Sequence, residues 1–122
     1  MNAIRFAAAA AALAAFVLSA HADTIAKKDG VLVNSAGMTV YTFDKDVADS
    51  GKSACAGPCL NAWPAVMAGD AKVSAPYSVI TREDGAKQLA YKGKPLYLFA
   101  KDAKPGDRNG DKFKDVWHVV AD

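Results

Sequence analysis

The sequence predicts a mainly β fold: a single small domain of about seven strands, built from two related hairpin-plus-strand repeats with one disulfide-closed loop. Three observations predict it. The ten residues Gly37-Met38-Thr39-Val40-Tyr41-Thr42-Phe43-Asp44-Lys45-Asp46 align without gaps on Gly93-Lys94-Pro95-Leu96-Tyr97-Leu98-Phe99-Ala100-Lys101-Asp102, and such self-similarity marks a duplicated unit. Short β-branched and aromatic runs alternate with clusters of Gly, Asn, Asp and Ser, and no segment carries a long helical period. Cys55 and Cys59 stand four residues apart in a chain that opens like an exported precursor, where thiols are oxidised in pairs.

The opening segment sets the compartment. Arg5 is its single charge, the run from Phe6 to Leu18 is apolar, and Ser19-Ala20-His21-Ala22 places small residues where the A-x-A cleavage rule asks for them. Residues 1–22 therefore read as a signal peptide cleaved near Ala22-Asp23. The run is shorter than the roughly 20 apolar residues a bilayer core requires, so no membrane span is expected. No cysteine stands at the cleavage point, so a lipobox is absent and the expected product is a soluble periplasmic or secreted protein. Removing 22 of the 122 residues leaves 100, enough for one domain over 23–122. Without Arg5 the balance is 14 Lys+Arg against 13 Asp+Glu, with no long basic stretch. That excludes a nucleic-acid partner from the expectations and leaves an envelope protein partner open.

Within the domain the repeats run over about 30–66 and 86–120. Each begins with a strand, Val31 to Asn34 or Gln88 to Tyr91, followed by a turn at Asn34-Ser35-Ala36-Gly37 or Lys92-Gly93. Gly37 and Gly93 are expected at positive φ. The period of two in the next strand puts Tyr41 and Phe43, or Tyr97 and Phe99, on one face. Val40 and Thr42, or Leu96 and Leu98, take the other, so these strands are expected to be covered on both faces. Pro95 cannot donate to a ladder and belongs at a strand start or edge. A polar loop then leads to the closing runs Trp63-Pro64-Ala65-Val66 and Trp117-His118-Val119-Val120. Between the repeats, Ala68 to Ala75 reads as a connection, and Tyr77 to Thr81 as a strand turning through Glu83-Asp84-Gly85 into Lys87 to Tyr91. One short helical turn is expected near Cys59 to Ala62.

Tyr41-x-Phe43-x-x-Asp46 and Tyr97-x-Phe99-x-x-Asp102 resemble the Yx(F/W/Y)xxD signature of the bacterial secreted repeat family of unknown function, often described as predicted lipoproteins. The similarity extends to Cys55-Ala56-Gly57-Pro58-Cys59 before Trp63-Pro64. It also takes in Tyr91-x-Gly93-x-Pro95-Leu96-Tyr97, running on to Lys104-Pro105-Gly106-Asp107, Gly110 and Trp117. The missing lipobox cysteine is a departure from the lipoprotein description. What the resemblance implies is export and a repeated architecture; it carries over no catalytic residue.

Several constellations invite chemistry, each beside a plainer reading. Cys55 and Cys59 are expected to form a disulfide that fixes a local loop; reduced, they would join His118, the only histidine left after residue 22, as soft ligands suited to copper. The plainer role of His118 is a partly exposed strand residue. Asp102, Asp107, Asn109 and Asp111 place oxygens at the alternating spacing of a calcium loop, but Lys112 and His118 occupy the positions where such a loop has Gly and Glu. A solvated turn held by Asx hydrogen bonds explains them as well. No cofactor is firmly implied; copper and calcium remain the options. Asp46 and Asp102 recur at equivalent places and would form a carboxylate dyad if they converged in one cleft, whereas an aspartate past a strand end also ends the strand by accepting backbone N–H groups. The signature tyrosines and phenylalanines read as core packing.

No G-x-G-x-x-G, Walker loop, H-E-x-x-H or nucleophile elbow occurs. The leading expectation is a non-catalytic periplasmic binding or structural module. The alternative is a copper-handling or electron-transfer accessory using Cys55, Cys59 and His118.

Overall fold

Asn34 follows the strand Val31–Val33 and makes the turn after it. Its side-chain oxygen accepts the backbone N–H groups of Ala36 and Met38, both at 3.0 Å, and Gly37 closes the turn at φ +83°. The chain then returns antiparallel, with Val40 N donating to Leu32 O at 3.0 Å and Val33 bridging Thr39. The computed structural model describes residues 25–70 and 72–121; the expected signal peptide 1–22 and its cleavage junction lie outside the described residues.

Seven strands and one short helix are assigned among the described residues, in the order β1 (Ala26–Lys28), β2 (Val31–Val33), β3 (Tyr41–Phe43), α1 (Cys59–Ala62), β4 (Tyr77–Thr81), β5 (Lys87–Tyr91), β6 (Lys94–Pro95) and β7 (Trp117–Val119). The fold is mainly β and two-fold repeated, as the sequence predicts. β4 and β5 have the expected limits, and Pro95 sits at the end of β6 opposite Ala90. β1 is an addition: a fully exposed strand paired antiparallel to β2, with neither alternation nor β-branched residues to announce it. A 3-10 turn at Phe113–Asp115, also unanticipated, precedes β7.

In both repeats the second strand starts from a glycine in the left-handed region, and at Gly93 the close approach is visible. Gly93 has φ +84°, its carbonyl accepts Asp49 N at 3.0 Å, and a Cβ there would lie 2.8 Å from that same backbone nitrogen.

The third strand of each repeat does not return to its own hairpin. Residues 62–68 pair with the second repeat: Val66 N donates to Leu96 O, Leu98 N to Pro64 O, Ala100 N to Ala62 O and Leu89 N to Val66 O, all at 2.7–3.0 Å. β7 makes the equivalent pairing with the first repeat, Tyr41 opposite Val119, Thr42 opposite His118 and Phe43 opposite Trp117, and Leu32 N donates to Val120 O at 2.9 Å. The halves therefore exchange strands. They meet where Tyr41 and Tyr97 each donate a backbone N–H to the other's carbonyl, at 2.8 and 2.9 Å.

Strand alternation then sorts side chains into two cores. One is aliphatic and contains the related pairs Leu32 and Leu89, Val40 and Leu96, and Val66 and Val120. The other is aromatic, holding Tyr41, Phe43, Trp63, Tyr97, Phe99 and Trp117 with Cys55. Both faces of the signature strands are covered, which is why neither face carries a run of polar residues.

Candidate functional site

The aromatic core is ordered by the strand exchange. Trp63 and Trp117, brought together from opposite repeats, stack at 3.7 Å with ring planes 2° apart. Each tryptophan also stacks at 4.1 Å on the phenylalanine of the other repeat, Trp117 on Phe43 and Trp63 on Phe99. Tyr41 meets Trp63 edge-on at 5.4 Å and Tyr97 meets Trp117 at 5.2 Å, the T-shaped arrangement that ring quadrupoles favour.

The signature hydroxyls and carboxylates cross in the same way. Tyr41 OH donates to Asp102 Oδ2 at 2.6 Å, and Tyr97 OH donates to Asp46 Oδ2 at 2.7 Å. Each carboxylate's other oxygen accepts a backbone N–H from the loop that follows it, Ala54 N to Asp46 at 2.5 Å and Asn109 N to Asp102 at 3.0 Å. Both tyrosine hydroxyls have a second partner, Gly110 N for Tyr41 and Ser53 Oγ for Tyr97. Burial raises both tyrosines well above the ordinary phenol range, reinforced by the adjoining carboxylates. Burial also raises Asp46, against the opposing pull of the Ala54 N–H, the Tyr97 hydroxyl and the nearby Lys94 and Arg82 charges. The two carboxylates share no hydrogen-bond partner among the described residues; each serves a separate junction.

Around the Asp46 junction lies a buried polar group that strand patterning did not signal. Arg82 Nη1 donates to Gln88 Oε1 at 2.7 Å and Nη2 to Cys55 O, while Gln88 Nε2 donates to Leu96 O at 2.7 Å. Gln88 is wholly buried at a position that alternation would treat as apolar. The guanidinium thus ties the disulfide loop to β5 across the repeat boundary.

A family model described as a secreted repeat of unknown function matches residues 23–67 and again 78–121. The chain belongs to that family. No curated protein and no solved structure matches it. In this secreted repeat protein the matched unit is not the closed structural unit, because each copy's last strand lies in the sheet of the other. No helix among the described residues is long and apolar enough to cross a membrane.

The remaining sequence candidates fall in separate places. Cys55 and Cys59 form the disulfide, Cys55 fully buried and Cys59 half-buried at the start of α1. In this oxidised state neither sulfur is a thiolate, and His118 Nε2 is paired instead with Asp44 Oδ2 at 2.8 Å on the surface. In the loop proposed for calcium, Asp102 faces Tyr41 and Asn109 N. Asp107 Oδ2 accepts Ala103 N at 2.8 Å, and Asp111 Oδ1 accepts Val119 N at 3.1 Å. These carboxylates end a strand and cap turns, and no group of three or more His, Cys, Asp or Glu able to hold a metal occurs among the described residues.

An open surface lies against the aromatic core. A cleft of about 310 Å³ has Phe43, Trp63 and Trp117 as its floor and Cys59, Phe113 and Val116 as its walls, with Lys45 and Lys114 beside them. Sequence reasoning marked Phe43 as packing and the two tryptophans as the start of the closing apolar runs but not the cleft, since Phe113 and Val116 come from the unanticipated 3-10 turn and the residue that ends it.

Proposed function

We propose that the protein is a non-catalytic binding module, exported to the periplasm and released as a soluble domain by cleavage near Ala22-Asp23. One observation carries this reading: Asp46 and Asp102, the repeated carboxylates, each hold a tyrosine of the opposite repeat and a backbone N–H. Groups so engaged and so buried build the frame; they are not poised to transfer protons to a substrate. What the frame presents to solvent is the cleft over the aromatic stack, apolar with a few polar groups at its rim, the usual make-up of a small-molecule site. The family's secreted character supports the exported location.

A fragment screen by NMR on the oxidised protein tests it. The expected result is saturable binding with amide shifts at Cys59, Phe113, Lys114 and Val116, and no conversion of the ligand. Conversion by the wild type that Asp46→Asn or Asp102→Asn abolishes, or the lack of any saturable ligand at the cleft, would overturn it.

A further inference from the structure

The stacking geometry determines which part of each ring the cleft can meet. Trp117 lies between Phe43 and Trp63, and Trp63 lies between Trp117 and Phe99, so both faces of both tryptophans are already covered. A molecule in the cleft therefore touches their edges. Ring edges carry the positive part of the aromatic quadrupole, and an electron-rich ring or an anion is drawn to them. Lys45 and Lys114 add two full positive charges, and no acidic residue among the described residues lines the cleft. Both lysines are exposed, and neither makes an ion pair with a carboxylate among the described residues.

The wall that carries Lys114 is also held in an unusual backbone. Lys112, Lys114 and Asp115 have φ of +64°, +52° and +60°, three non-glycine residues in the left-handed region within four positions. Such residues persist where surrounding structure fixes them, and they gather at ligand clamps. Here the conformation is fixed by Lys112 N donating to Trp117 O and Asp115 N to Lys112 O. It places the Lys114 ammonium 5.7 Å from the centre of the Phe113 ring, at the cleft wall.

From the covered ring faces, the ring edges that contribute to the cleft lining and the two lysines, we infer that the cleft binds a small planar aromatic anion, a ring-bearing carboxylate. The ring lies against the edges of Trp63 and Trp117, and the carboxylate points to Lys45 and Lys114. This rests on the binding-module reading and adds the charge and shape of the ligand.

The test uses the protein with its disulfide intact and three probes of one shape: 2-naphthoate, the neutral 2-naphthamide and the cationic 2-naphthylmethylammonium. Binding is followed by tryptophan fluorescence and by amide shifts. The carboxylate is expected to bind at Phe113, Lys114 and Val116 about tenfold more tightly than the amide, the scale of one charge-assisted contact. Lys45→Gln/Lys114→Gln, a change at two exposed positions, is expected to erase that difference while leaving thermal unfolding unchanged. Equal binding of all three probes in the cleft would overturn the anion assignment and leave the binding module standing. Carboxylate binding unaffected by the double substitution would overturn the assignment of the site. Failure of every probe to saturate would overturn both.

Discussion

Tyr41→Phe removes one hydroxyl and leaves two buried groups without their partner: Asp102 Oδ2 loses a donor and Gly110 N loses an acceptor. A buried hydrogen bond to a charged group is worth about 1.5–3 kcal/mol, so each of Tyr41→Phe and Tyr97→Phe is expected to cost about 2 kcal/mol. That corresponds to a melting point lower by on the order of 10 °C for a domain of this size, checked by calorimetry. Nearly equal costs from two positions in different repeats are the mark of the crossed arrangement. The same hydroxyls set the alkaline limit. Both tyrosines titrate in the fold well above the 10.0 of an unburied phenol, so between those values the unfolded chain has lost protons that the folded chain retains. Stability then falls as pH rises past 10, by about 1.4 kcal/mol per pH unit for each tyrosine. Urea midpoints between pH 9 and 11.5 are expected to drop along that slope, and Tyr97→Phe is expected to remove one tyrosine's share. At this scale the sequence showed which residues recur and that they pack. It did not show their partners, because the hydrogen bonds reach across 61 and 51 positions and no local period encodes such a distance.

The loops after the signature strands do the same task by different means. After β3, the Cys55–Cys59 disulfide and the Arg82 bond to Cys55 O hold the segment that delivers Ser53 and Ala54 to the first junction. In the second repeat no cysteine is present, and Asp107, Asp111 and the 3-10 turn hold the segment that delivers Asn109 and Gly110. Because the disulfide closes a short loop, the chain-entropy argument gives it less than the roughly 3 kcal/mol of a 15-residue closure. Cys55→Ser/Cys59→Ser is therefore expected to lower stability by about 1–2 kcal/mol and to keep the native circular dichroism, with the loss of Cys55 packing adding to the entropic part. Loss of the fold would show that the loop holds the domain together. Strand positions were legible here wherever alternation was strong: β4 and β5 match their expected limits, and α1 lies at the expected turn. β1 was not legible, since its residues are all exposed and bury no face that could leave a pattern. The cleft was not legible either, because its walls come from a turn whose left-handed residues are lysines and an aspartate and not glycines.

The exchange of third strands makes the two repeats together, and not the single repeat, the unit that folds. Residues 62–68 of the first repeat have their strand partners in the second, and β7 has its partners in the first. A period of two tells which side chains face together; it says nothing about which strand lies alongside, so the sequence showed a duplicated unit and not its exchange. A separated first repeat would retain the β2 turn and lose the hydrogen bonds that join residues 62–68 to Lys87, Leu89, Leu96, Leu98 and Ala100. It would also expose Trp63, now 4% accessible between Phe99 and Trp117. A fragment of that size buries too little apolar surface to offset the ordering of its chain, and its open strand edges invite pairing. Fragments 23–70 and 72–122 are accordingly expected to lack fixed structure as monomers and to recover the native amide spectrum on mixing at equal concentration. Recovery should restore the quenched fluorescence of stacked Trp63 and Trp117, and Tyr97→Phe in the second fragment should weaken the association, since its hydroxyl partner Asp46 lies in the first. Sedimentation of either fragment alone as a folded monomer would show that the repeat is autonomous and that the exchanged strands are dispensable.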